Sequence, residues 1–178
     1  MAEQPTPKAL KFSFDNLLEK FPEVELPVTL TDETLQEFSR ANDLLPTPMV
    51  MHFLETEESE APGEFTEYVP CFRIPQTHDV SALVYWKAEL MNYEYVLITF
   101  SKKGELIDKR VIAGTKLNEE LLVRSVATID VDWVIYVVGG VADKDGNNFD
   151  PSSSQSLQFE LLADGKIVSL LTATDDDE

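Results

Sequence analysis

YEYVLITFSKKGELIDKRVIAGTKLNEELLVRSVATIDVDWVIYVVGGVA, residues 93–142, decides the fold. Its runs of Val, Ile, Tyr, Phe and Thr are broken by Gly and Asp turn signals, the composition of strands joined by short reversals. Ser101-Lys102-Lys103-Gly104 fits a hairpin loop with Gly104 in the left-handed position, returning through a strand over Leu106–Ile112. Lys116–Leu122 reads as a helical turn at the sheet edge. Strands over Val123–Ile129 and Trp133–Val138 follow, joined across Asp130-Val131-Asp132. Tyr93–Phe100 and Trp133–Val138 are apolar at both parities, so both are expected to be covered on two faces.

Toward the C-terminus, Asp143–Ser154 reads as a polar loop. Strands over Ser156–Leu162 and Lys166–Leu171 flank Asp164-Gly165, a type I′ turn signal. Toward the N-terminus, strands over Phe65–Ile74, with Pro70 as a break, and Val80–Leu90 precede the decisive stretch. Met49–Leu54 is a short apolar run whose length favours a strand. The charged segment Glu55–Glu64 reads as a loop. Two amphipathic helices come first. Phe14, Leu17, Leu18 and Phe21 repeat at helical spacing behind Ser13, and Pro22 stops them. Leu35, Phe38, Ala41 and Leu45 do so behind Thr31, with Asp32 and Glu33 at the positive end of the helix dipole and Pro46 as the stop. Pro22–Leu30, between them, is expected to be extended and to pair at an edge.

The fold expected is therefore α+β: an antiparallel β-meander of six or seven strands covered on one side by two short N-terminal helices. The domain map is a loose arm over residues 1–9, one domain over 10–173 and an acidic tail over 174–178. At 178 residues and 43% hydrophobic, the chain suits a single packed core.

Net charge is −19, unevenly placed. Residues 1–67 hold 15 acids against 4 bases, and residues 125–178 hold 11 against 2, while residues 68–124 sit near neutrality. An acidic surface repels nucleic acid and anionic membrane, so any charge-steered partner is expected to be a basic protein surface. No apolar leader and no run of membrane-spanning length is visible, so a cytoplasmic location and no membrane partner are expected.

The hairpin YxYVLITFSKKGELID, preceded by an LP-containing segment and followed by a second hairpin ending VDWVIYVV, resembles small uncharacterised bacterial proteins, many of them secreted or lipid-anchored. The N-terminal stretch of this chain reads as having no export signal, so a departure from them is expected there. The resemblance transfers no functional residue.

Several constellations hold residue types that carry chemistry. Cys71, the only cysteine, lies close to His78 and Asp79, as an imidazole-activated thiol requires, but its odd spacing from His78 and the intervening Pro75 favour a buried inert thiol. His52 with Glu55 offers two metal-ligating types, and Asp130 with Asp132 offers paired carboxylates across an ordinary hairpin turn. In Asp143–Asp150 the oxygen ligands Asp143, Asp145, Asn147 and Asp150 surround Gly146, a pattern that hard calcium uses. An EF-hand register would need acids at Val141 and Ser152, so a hairpin loop explains the same residues. Ser152–Ser154 has no nucleophile-elbow glycines, and Gly139-Gly140 marks a strand end or bulge. No cofactor is expected. With two His and one Cys the common bases and nucleophiles are scarce. The expected function is accordingly a non-enzymatic acidic protein-interaction module. The alternative is a binder of a small apolar ligand lined by Phe72, Tyr85, Trp86, Tyr93, Tyr95, Trp133 and Tyr136.

Overall fold

Residues 12–55 and 62–170 are described by the computed structural model; the arm at 1–9, the tail at 174–178 and most of the 55–64 loop lie outside them. Nine strands form one antiparallel sheet, more than the six or seven expected. They are β1 (Val28–Leu30), β2 (Glu67–Arg73), β3 (Val80–Glu89), β4 (Asn92–Ser101), β5 (Leu106–Asn118), β6 (Leu121–Ile129), β7 (Val134–Asp143), β8 (Phe149–Leu161) and β9 (Ile167–Leu170). β2 to β9 follow in chain order, and β1 lies beside the end of β6. Both proline-bearing segments expected to be extended contribute strands. Pro70 is accommodated by a register shift in an edge strand, and Pro27 immediately precedes β1.

Four helical pieces precede the meander. α1 (Phe14–Glu19) is capped by Ser13 and α2 (Asp32–Ala41) by Thr31, each in a reciprocal capping box. Met49–Leu54, expected as a strand, is instead helical. α3 (Thr47–Met49) carries Pro48 in its first turn, where a missing N–H is harmless, and runs into a π-helical turn over Val50–Leu54. Lys116–Leu122 is corrected in the opposite sense: β5 runs to Asn118, the chain reverses at Glu119-Glu120, and β6 begins at Leu121. The polar loop expected over Asp143–Ser154 shrinks to residues 144–148, because cross-strand pairing carries β7 and β8 through residues of low strand propensity.

β3 and β4 form the wall between two hydrophobic clusters. On one face Leu83, Tyr85, Val96, Ile98 and Phe100 pack against Leu17, Phe21, Met49, Val50 and Leu54. On the other, Val84, Trp86, Tyr95 and Leu97 meet Ala127, Ile129, Ile135, Val137, Phe159 and Leu161 from the later strands. The two-sided burial expected of Tyr93–Phe100 thus holds from Tyr95 onward. The helices divide between the clusters instead of sharing one side. α1 contributes to the first, whereas Leu35 and Phe38 of α2 pack on the second.

The two ends of the meander are secured differently. At the β2 edge, Leu45 N–H donates to Tyr68 O, Asn42 Nδ2 donates to Pro70 O and Cys71 O, and Arg73 N–H donates to Pro22 O, so loop and side-chain groups take the positions of a neighbouring strand. Before β9, the buried Thr99 hydroxyl donates to Gly165 O (2.6 Å) and Ile167 N–H donates to Asp108 Oδ2 (2.8 Å), tying the last turn to β4 and β5. Gly165 has φ 90°, and an added Cβ would lie 2.8 Å from Ile107, so both conformation and space require glycine there. No described helix is long and apolar enough to cross a membrane.

Candidate interaction surface

β7 was expected to be buried on both faces. It is not: Ile135 and Val137 enter the core, while Tyr136 (39% exposed) and Val138 (58%) face outward. Register makes Val138 part of a row with Val126 and Ser156, and Tyr136 part of a row with Thr128 and Gln158. Farther along the same face, at the turn end shared by β5 to β8, Phe149, opposite Ala142, is also exposed, whereas the exposed Leu121, Val123 and Leu157 pair with Asp143, Val141 and Val137 and so belong to the other face. An exposed apolar row on one sheet face marks a candidate interaction site.

A bulge shapes this end. Gly139 pairs with Gln155, yet the next pair is Val141 with Asp150, so the chain from 151 to 154 loops out of register. Ser153 fastens the loop: its hydroxyl accepts from Val141 N–H (2.8 Å) and donates to Asp150 O (2.6 Å). The Gly139-Gly140 pair therefore marks a bulge, as the sequence suggests. Phe149 lies across Gly140, where an added Cβ would come within 2.4 Å of the ring. Beside it runs a groove of about 320 Å³ walled by Leu122, Val126, Val138, Ala142 and Phe149, with Arg124 at one side.

The oxygen-rich turn sits at the rim of this surface. Asp143 Oδ1 accepts from Asn147 and Asn148 N–H, and its Oδ2 accepts from Asn148 Nδ2 (2.6 Å). The Asn148 side chain, with help from the backbone donors, holds the Asp143 carboxyl below the usual carboxylate range. Asp150 Oδ1 accepts from both Ser152 N–H and the Ser152 hydroxyl. The loop's own donors thus occupy carboxylate oxygens that calcium would need. Among the described residues, no group of three or more His, Cys, Asp and Glu is gathered as a metal site. Asp130 and Asp132 serve their turn in the same way, accepting from Val131 and Val134 N–H.

Other sequence candidates are separated. Cys71 is fully buried, its thiol faces Val69 O, and burial pushes its pKa upward, whereas His78 lies on an exposed turn. His52 is exposed with its ring edge on Phe53, while Glu55 is buried among other partners. Tyr68 donates its hydroxyl to Glu55 Oε1 (3.0 Å), and the ammonium groups of Lys87 and Lys109 each lie 3.7 Å from that oxygen. Lys109 also donates to Leu54 O at 2.8 Å. Glu55 is thus the clasp that fastens the end of the π-helical turn to β2, β3 and β5. Sequence reasoning missed it, because the two lysines lie 32 and 54 positions away and carry no local motif. Of the seven aromatics considered as a ligand pocket, Phe72, Tyr85, Trp86 and Tyr95 are core, and only Tyr93 and Tyr136 are well exposed.

No known relative guides the assignment. Comparison with family models, curated proteins and solved structures finds no match.

Proposed function

We propose that the protein is a non-enzymatic interaction module that docks through the uncovered end of β5 to β8 onto a protein whose own apolar patch is rimmed by basic side chains. The observation that carries this reading is the outward row of Tyr136, Val138 and Phe149 beside an apolar groove walled by Leu122, Val126 and Ala142. Acids supply the complement to a basic rim: Glu119, Glu120, Asp143, Asp145 and Asp150 outnumber Lys116, Arg124 and Lys144 on these strands and turns. The overall charge of −19 favours the same class of partner and accelerates its approach. A small apolar ligand is the weaker alternative, since packing consumes the buried aromatics.

The test compares the full chain with a V138K/F149S variant in affinity capture from native extract, with far-UV circular dichroism to verify folding. Proteins held by the wild type should be lost by the variant, and their association rate should fall as salt rises. An identical captured set from the two baits, with no salt dependence, overturns the reading.

A further inference from the structure

At the opposite end of β4 from the proposed docking surface, the β2–β3 turn, the β4–β5 hairpin and the segment after α1 enclose a cleft of about 290 Å³. Its wall reverses the sign of the molecule. Acids outnumber bases 33 to 14 in the whole chain, yet Arg73, His78 and Lys102 line this cleft against Glu23 alone. Arg73 belongs to the end of β2, His78 to the turn and Lys102 to the hairpin. The pairing of Val80 with Ser101 is what brings the turn and the hairpin together.

Arg73 carries the argument. Its Nε is buried and has no hydrogen-bond partner, although a guanidinium is permanently charged and buried donors are nearly always satisfied. Glu23 Oε1, at 3.8 Å, supplies opposite charge from beyond hydrogen-bonding distance. The Arg73 side chain as a whole is 42% exposed, so an incoming acceptor can approach it. The backbone under it is fixed, because Arg73 N–H donates to Pro22 O.

The turn fixes the position of a second lining residue. Gln76 adopts φ 65°, a left-handed conformation unfavourable for a residue with a Cβ. Hydrogen bonds from His78 N–H to Gln76 O and from Val80 N–H to Thr77 O hold the turn in that shape, and it sets His78 on the cleft wall.

We propose that this cleft binds a phosphate group. A forked guanidinium, an ammonium and an imidazole on three separate segments suit a compact tetrahedral oxyanion better than a planar carboxylate. The acidic remainder of the surface disfavours an extended polyanion, so the ligand is a small phosphorylated molecule or phosphate itself.

Calorimetric titration of the full chain at fixed ionic strength tests this, with inorganic phosphate, phenyl phosphate and benzoate as probes. At least one phosphate probe should bind saturably; tighter phenyl phosphate identifies a phosphate monoester as the ligand class, and tighter inorganic phosphate identifies the free ion. Arg73→Gln should weaken binding at least about tenfold and Lys102→Gln severalfold, while Arg40→Gln, at an exposed position of α2 that does not line the cleft, leaves it unchanged. Should Arg73→Gln misfold, the exposed Lys102→Gln decides. The proposal is overturned if neither phosphate binds, if neither Arg73→Gln nor Lys102→Gln alters affinity, or if benzoate binds as tightly as phenyl phosphate.

Discussion

Tyr68 donates its hydroxyl to Glu55 across a distance of 3.0 Å, joining an edge strand to the residue that closes the helical segment. Because Glu55 is buried, removing either member strands a polar group away from water. Tyr68→Phe should cost about 1 kcal/mol and Glu55→Ala about 3 kcal/mol in urea unfolding, the larger loss reflecting the two lysines left without their carboxylate. A double-mutant cycle of Tyr68→Phe with Glu55→Gln should show coupling of at least about 0.5 kcal/mol. Additive losses would mean that the contact contributes nothing of its own.

Tyr85 presents the opposite case. Its ring lies 6.0 Å from that of Tyr68, and its buried hydroxyl has no hydrogen-bond partner. Tyr85→Phe removes a polar atom while keeping the ring, so stability should be unchanged or rise by up to about 1 kcal/mol. A loss above about 1 kcal/mol, measured by the same denaturant method, would refute an orphaned hydroxyl.

Two glycines separate stability from docking. An added Cβ at Gly114 would sit 2.2 Å from the backbone oxygen of Tyr93, which cannot yield without moving β4. At Gly140 the obstacle is the exposed ring of Phe149, which can swing aside. Gly114→Ala should therefore destabilise by about 2–3 kcal/mol, and Gly140→Ala by less than about 1 kcal/mol while weakening partner capture. Equal effects of the two substitutions on thermal unfolding would contradict this.

Alkaline pH should act through three phenols. Burial raises the pKa of Tyr68, Tyr85 and Tyr95 above the ordinary value of 10.0; the Glu55 charge adds to it at the first two, and the Thr34 hydroxyl opposes it at Tyr95. A folded-state value above the unfolded one makes this stabilisation complete below pH 10.0 and progressively lost as pH rises past it. Melting temperature should fall across that range, with phenolate absorbance at about 295 nm and loss of near-UV circular dichroism appearing together for these side chains. Ionisation of all three with the fold intact would contradict the burial.

Much of the meander was legible, since its cues are local. Gly104 and Gly165 have φ 85° and 90° at the reversals they were expected to make, and Ser13 and Thr31 cap the helices they were expected to begin. What failed depended on context. Met49–Leu54 is too short for periodicity to separate strand from helix. In β7, Val138 and Val137 look alike in sequence, and only the layout of neighbouring strands buries one and exposes the other. The phosphate cleft was unreadable for a related reason: Arg73 and Lys102 stand 29 positions apart and meet only because β3 and β4 pair in register.

The shared wall of β3 and β4 also limits how the molecule can be taken apart. Stripping away residues 12–55 would lay bare one whole side of the strands that support everything downstream, including Tyr85, Ile98 and Phe100. A shortened version holding only the meander would be a sticky, half-clothed scaffold, and whatever it captured would report on its wound instead of its partner.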